Sequence, residues 1–141
     1  PDVHIIWDGF PFWMELKTTK NNAVKLSPQQ IAWNTAYSAK SGLNFILVKH
    51  LPSGDLILFR GSRAVDLARS GLAAGGEFRG SGHEELWEYV RESGISHLEL
   101  ILSGLRGSGF GASTPGATLA RGTGAPVPGL EPGIEAKEKE A

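Results

Sequence analysis

The chain has 141 residues, with 14 Lys and Arg against 15 Asp and Glu, a formal net charge of -1, 40% apolar residues and no cysteine. That balance suits one domain with a modest core, and it lacks the overall basicity common among nucleic-acid binders, although a local basic patch needs no net charge. It excludes a disulfide framework, a thiolate nucleophile and a zinc–thiolate centre. No run approaches the roughly 18 apolar residues of a membrane span and no signal-peptide pattern opens the chain, so a cytoplasmic protein with no membrane partner is expected. The first residue is Pro rather than Met, so a start upstream of Pro1 is expected.

In chain order, VHIIWD (3–8) and FPFWMELKT (10–18) are β-branched and aromatic runs on either side of Gly9 and predict a β-hairpin, with Pro11 near the turn or at the start of the second strand. A polar loop, TKNNAVK, follows. Ser27 as N-cap and Pro28 at the first helical position open a helix over 28–40, with Gly42 as its C-cap. LNFILVKH (43–50) and LILFR (56–60) predict a second hairpin around Pro52–Asp55. A short helix is expected at 62–72, a loop through AAGGEFRGSG, an amphipathic helix at 83–94 and a strand at 95–102. From Ser103 the composition turns to Gly, Pro, Ala, Ser and Thr. Such a segment cannot bury enough apolar surface to offset its ordering entropy, so 103–141 is expected to be a disordered tail behind a domain at 1–102.

The chemistry concentrates in the first hairpin. Glu15 and Lys17 are two apart on a strand and therefore share one face, while Met14 and Leu16 point to the other face, toward packing. Asp2 lies just before the partner strand, where pairing can bring it near Glu15. Two crowded carboxylates repel, and a divalent cation relieves that repulsion; oxygen-only ligands suit Mg²⁺ or Mn²⁺. Lys20 and Lys25 flank the loop after this strand, and Lys40 and Lys49 come later; clustered at one site, these would track phosphates.

The run Pro1-Asp2, Glu15-Leu16-Lys17-Thr18, Leu26-Ser27-Pro28-Gln29-Gln30 and then Trp33, on strand, strand and helix in that order, resembles the PD-(D/E)XK nuclease superfamily. Within it the likeness is to the virus-type replication-repair nucleases and the phage Holliday-junction-resolvase-like group, and it covers about residues 1 to 60. The resemblance implies a restriction-endonuclease-like α/β core, a mixed central sheet flanked by helices, acting as a metal-dependent endonuclease on DNA. It implies Asp2 and Glu15 as Mg²⁺ (or Mn²⁺) ligands, with the Leu16 carbonyl as a further one. Lys17 would orient or help deprotonate the attacking water, and Gln30 would face the site from the following helix. Gln29 competes for that last role, and the choice rests on the family's spacing. Many members carry a further acid on a helix before the PD strand, and many act as dimers; nothing precedes Pro1 here, so the first core helix is expected to be missing. A catalytically inactive nucleic-acid-binding or structural module with the same fold is the alternative.

The remaining signals are weaker. Trp33 and Tyr37, three and seven positions after Gln30, share its helix face and read as core rather than as stacking platforms for bases. The four histidines show no metal-ligand spacing, and His83-Glu84 lacks the second His of a zinc helix. Gly107–Gly111 resembles a dinucleotide fingerprint but no helix or downstream acid completes it.

Overall fold

The computed structural model describes residues 1–107. Val3–Trp7 (β1) and Phe10–Thr19 (β2) form the expected antiparallel hairpin, closed by Asp8 and Gly9 with φ of 49° and 82°. Two consecutive positive φ values mark the tight turn whose twist matches that of the flanking strands, which is why Asp-Gly sits there. Pro11 pairs with Ile6, and β2 meets its other neighbour only from Trp13 onward, so the missing N–H falls where β2 has a partner on one side alone.

Pro28–Ala39 (α1) opens on Ser27, whose Oγ accepts from the Gln30 N–H at 3.2 Å while the Ser27 N–H donates to Gln30 Oε1 at 3.0 Å. Its end differs from expectation in detail. The left-handed position is Ser41, at φ 60°, and Gly42 follows it, donating to the Tyr37 carbonyl at 2.9 Å. Gly42 is required for space instead: a Cβ there would stand 2.2 Å from the Tyr37 ring.

Asn44–His50 (β3) pairs parallel to β2, so β2–α1–β3 is a βαβ unit. Leu56–Arg60 (β4) returns antiparallel, and Phe78–Gly80 (β5), inside a segment expected to be loop, adds a short edge strand. The five-stranded mixed sheet has the order β1-β2-β3-β4-β5. The expected helix at 62–72 is a 3₁₀ turn at Gly61–Arg63, a short helix Ala64–Ser70 (α2) and a second 3₁₀ turn at Gly71–Ala74.

The expected helix at 83–94 and strand at 95–102 are one helix, His83–Gly107 (α3). Gly94 does not stop it. That residue is buried against the Phe10 ring, 2.8 Å from where its Cβ would stand, so it permits close approach of helix to sheet. Extending an existing helix adds one hydrogen bond per residue fixed, whereas a new strand needs a free edge to pair with. The first five residues of the expected tail, 103–107, belong to this helix, and the rest of it lies outside the described residues.

Side chains alternate across the sheet and build two apolar layers. Phe12, Met14, Phe45, Leu56 and Leu58 pack with Leu86 and Val90 of α3. Ile46, Val48, Ile57 and Phe59 pack on the opposite face with Leu67 of α2 and, half-buried, Ile31 of α1. The mixed α/β architecture with helices on both faces of a central mixed sheet is thus as the sequence predicts. Among the described residues no helix is long and apolar enough to cross a membrane.

Candidate metal and phosphate site

The site begins with a buried acid. Glu15 lies on the α1 face of β2, beside Ile46 of β3, and its side chain is 0% exposed. A carboxylate removed from water must be compensated by charge or hydrogen bonds. Lys17, two residues on and on the same face, brings its Nζ to 3.1 Å from Glu15 Oε1. Gln30 closes the network: its Nε2 donates to the same Glu15 oxygen and its Oε1 accepts from Lys17 Nζ at 3.1 Å. Because that Oε1 also accepts from the Ser27 N–H, the cap that starts α1 is the device that aims Gln30 at the sheet. Gln30, not the exposed Gln29, reaches the site.

The second Glu15 oxygen, Oε2, is buried and has no hydrogen-bond partner. The Pro1 nitrogen stands 3.4 Å from it. As a terminal ammonium that nitrogen pairs with the carboxylate; as a proline nitrogen within a longer chain it carries no proton to give. Asp2 continues β1 toward Glu15, its N–H donating to the Met14 carbonyl at 3.2 Å. Its Oδ2 accepts from the Leu16 N–H at 2.7 Å, which pins the Asp2 carboxylate to the β2 backbone next to Glu15.

This donor set fits a hard divalent cation. Glu15 Oε2 is buried without a hydrogen-bond partner, the N–H of the next residue, Leu16, holds the Asp2 carboxylate, and both acids offer oxygen donors. Among the described residues no group of three or more Asp, Glu, His or Cys gathers in one place. The protein would therefore contribute Asp2, Glu15 and the Leu16 carbonyl, and water would complete the shell, as Mg²⁺ prefers. One expectation about Leu16 fails: its side chain is 46% exposed and outside the apolar cluster that holds Met14. Pairing with β1 ends at Met14, so Leu16 has no β1 neighbour to cover it.

Beyond Lys17, the end of β2 and its loop form a cleft of about 510 Å³ lined by Lys17, Lys20 and Lys25 together with Thr19 and Asn21. The Thr19 hydroxyl donates to the Ala23 carbonyl at 2.7 Å and fixes the loop that carries both lysines. The wider four-lysine patch does not form. Lys49 pairs with Thr18 and so projects on the face away from Lys17, and Lys40 lies in a different cleft at the end of α1.

Trp33 and Tyr37, read as core from the sequence, are half-buried and belong to neither apolar layer. They stack on each other at 4.8 Å, and Trp33 meets the edge of Trp13 at 5.9 Å, two residues before Glu15 on its face. Sequence reasoning missed what seats α1. Gln30, Asn34 and Ser38 form a polar stripe at i, i+4, i+8 that faces the sheet, where Asn44 Nδ2 donates to Asn34 Oδ1 at 2.8 Å and Ser38 Oγ donates to Asn44 Oδ1 at 2.6 Å. Asn34 and Asn44 are each 1% exposed. The stripe's spacing is the signal that could have found them.

No protein-family model, no curated protein and no solved structure matches the chain.

Proposed function

We propose that the protein is a divalent-metal-dependent nuclease of the PD-(D/E)XK type, with a restriction-endonuclease-like core, that hydrolyses phosphodiester bonds of DNA. The observation that carries the reading is the state of Glu15: one oxygen is held by Lys17 and Gln30, and the other is buried without a hydrogen-bond partner, 3.4 Å from the Pro1 nitrogen, with the Asp2 carboxylate pinned to the adjoining Leu16 N–H. A bound Mg²⁺ or Mn²⁺ would supply Lewis acidity toward water and the phosphate. Lys17 holds a positive charge next to that position, where the phosphoryl oxygens gain negative charge as water adds to phosphorus and the ester P–O bond breaks. Gln30 fixes the direction of the Lys17 ammonium. The Lys20–Lys25 cleft would follow the strand away from the scissile phosphate. On this reading, which draws on the resemblance to virus-type replication-repair nucleases and phage Holliday-junction-resolvase-like proteins, the enzyme would be an endonuclease of phage or mobile-element type that acts in DNA repair or recombination.

Incubation of the full chain with linear and branched DNA and Mg²⁺ or Mn²⁺ tests the proposal. Cleavage should occur with metal, stop with chelator and disappear in Glu15→Gln and Lys17→Ala. No cleavage by the full chain, or cleavage that survives either substitution, would defeat it. A second reading has one observation in its favour: the chain's own Lys17 ammonium balances the Glu15 charge, and Gln30 donates a hydrogen bond to it. On that reading the fold is kept as a DNA-binding module, and binding is salt-sensitive but indifferent to Mg²⁺.

A further inference from the structure

We propose that the cleft between the end of α1 and the far half of α3 binds a phosphate monoester carried on a flat or apolar body, at a site separate from the acid–lysine cluster and independent of the nuclease reading. β2 and β3 run parallel with Trp13 beside Asn44 at one end and Thr19 beside His50 at the other. Lys17, Lys20 and Lys25 lie toward the second end, whereas this cleft opens at the first, beside Gly42 and Asn44. Its volume is about 600 Å³, enough for a small organic ligand.

The polar side of the cleft is cationic. Lys40, Arg60 and His97 line it, and no Asp or Glu does. Arg63, Arg79 and Arg91 all have carboxylate partners, but neither Lys40 nor Arg60 makes an ion pair among the described residues. The carboxylate of Glu77, which meets the Arg60 backbone, is used elsewhere: Oε2 accepts from the Arg60 backbone N–H at 3.0 Å and Oε1 from Arg63 Nη1 at 3.3 Å. The Arg60 guanidinium is held in place by an apolar floor, 5.4 Å from the centroid of the fully buried Phe45 ring. The hydroxyls of Ser41 and Ser62 sit on the rim. The negative end of α1 is muted here, because the Lys40, Ser41 and Gly42 N–H groups cap the carbonyls of Ala36, Ser38 and Tyr37.

The opposite wall is apolar. Leu100 and Ile101 of α3 face the cleft, and they are 71% and 38% exposed. A guanidinium fork beside an ammonium matches the charge and oxygens of a phosphate dianion better than a single carboxylate. A flat apolar body attached to that phosphate would cover Leu100 and Ile101. The two walls together specify the ligand, and neither does so alone.

Two-dimensional NMR of the full chain in chelator, titrated with phenyl phosphate, inorganic phosphate and phenylacetate, tests this. Phenyl phosphate should bind most tightly, shifting amides of residues 40–42, 60–62 and 97–101. Lys40→Ala, an exposed position at a helix end, should weaken it about tenfold. Arg60→Ala should do the same with an unchanged circular-dichroism spectrum, and Lys20→Ala should have no effect. The proposal is overturned if phenyl phosphate shifts nothing there or shifts residues 17–25 instead. It is equally overturned if inorganic phosphate or phenylacetate binds as tightly, or if Lys40→Ala binds like the parent.

Discussion

At the scale of single residues, the molecule is organised around one carboxylate that water cannot reach. Glu15 is tolerable in that position because Lys17 and Gln30 both address its Oε1. Removing the Lys17 ammonium leaves the acid with the Gln30 amide and the Pro1 nitrogen 3.4 Å from Oε2, so Lys17→Met should destabilise the fold by about 1–3 kcal/mol, with the partial exposure of Lys17 keeping the cost below that of a fully buried pair. Adding Glu15→Gln to Lys17→Met should recover most of that loss, which a double-mutant cycle in urea would read as coupling. The buried Oε2, which has no hydrogen-bond partner, gives a second prediction at the same scale. Saturating Mn²⁺, at about 100 times its Kd, should stabilise the parent chain by about 2.7 kcal/mol and leave Glu15→Gln unmoved, as measured by thermal denaturation.

At the scale of elements, α3 is two helices in one. Its first half is anchored, with Leu86 and Val90 in the apolar layer beneath it; its second half carries Leu98, Leu100 and Leu102 at 46%, 71% and 44% exposure. Leu86→Ala should therefore cost about 2–5 kcal/mol, and Leu102→Ala about 0.5 kcal/mol or less, in the same denaturant experiment. Equal costs would mean that the second half is packed after all. The edge of the sheet is tied down differently. Arg79 of β5 donates to Asp55 Oδ2 at 2.9 Å, next to the turn between β3 and β4. That hydrogen bond, with a further one from Ser53, holds the Asp55 carboxyl below its ordinary range. A depressed folded value means that the contribution is complete above the ordinary carboxyl range and is lost as pH falls through the folded value. The stability gap between the parent and Asp55→Asn should thus be constant near neutrality and close in acid, which a pH series of denaturant melts would follow.

At the scale of the whole molecule, an almost neutral chain separates its charges. Three lysines gather at one end of β2, and two cations without ion-pair partners among the described residues gather by the end of α1. If DNA uses the first cluster, replacing both Lys20 and Lys25 with Ala should reduce the slope of log affinity against log salt by about 2, whatever the DNA sequence. A slope that stays the same would remove these lysines from the interface.

Much of this was legible in the sequence, and the limits of that reading have physical causes. The β-branched and aromatic runs on either side of Gly9 determined the first hairpin, and Ser27-Pro28 determined where α1 starts, since turn and capping chemistry are local. Glu15 and Lys17 had to share a face because strand geometry allows nothing else. Local rules fail where a residue's neighbour is distant in the chain. Gly94 resembled a helix stop, yet it is glycine because the Phe10 ring lies against it. Leu16 resembled a core residue, yet the strand that would cover it has already ended. The sequence by itself determined the first hairpin, the start of α1 and the shared face of the acid and the lysine. Only the tertiary structure decided that α1 is seated by Asn34 and Asn44, that Lys40 joins Arg60 rather than Lys20, and that one oxygen of Glu15 is buried without a hydrogen-bond partner, because each of these depends on which surfaces meet when the sheet is assembled.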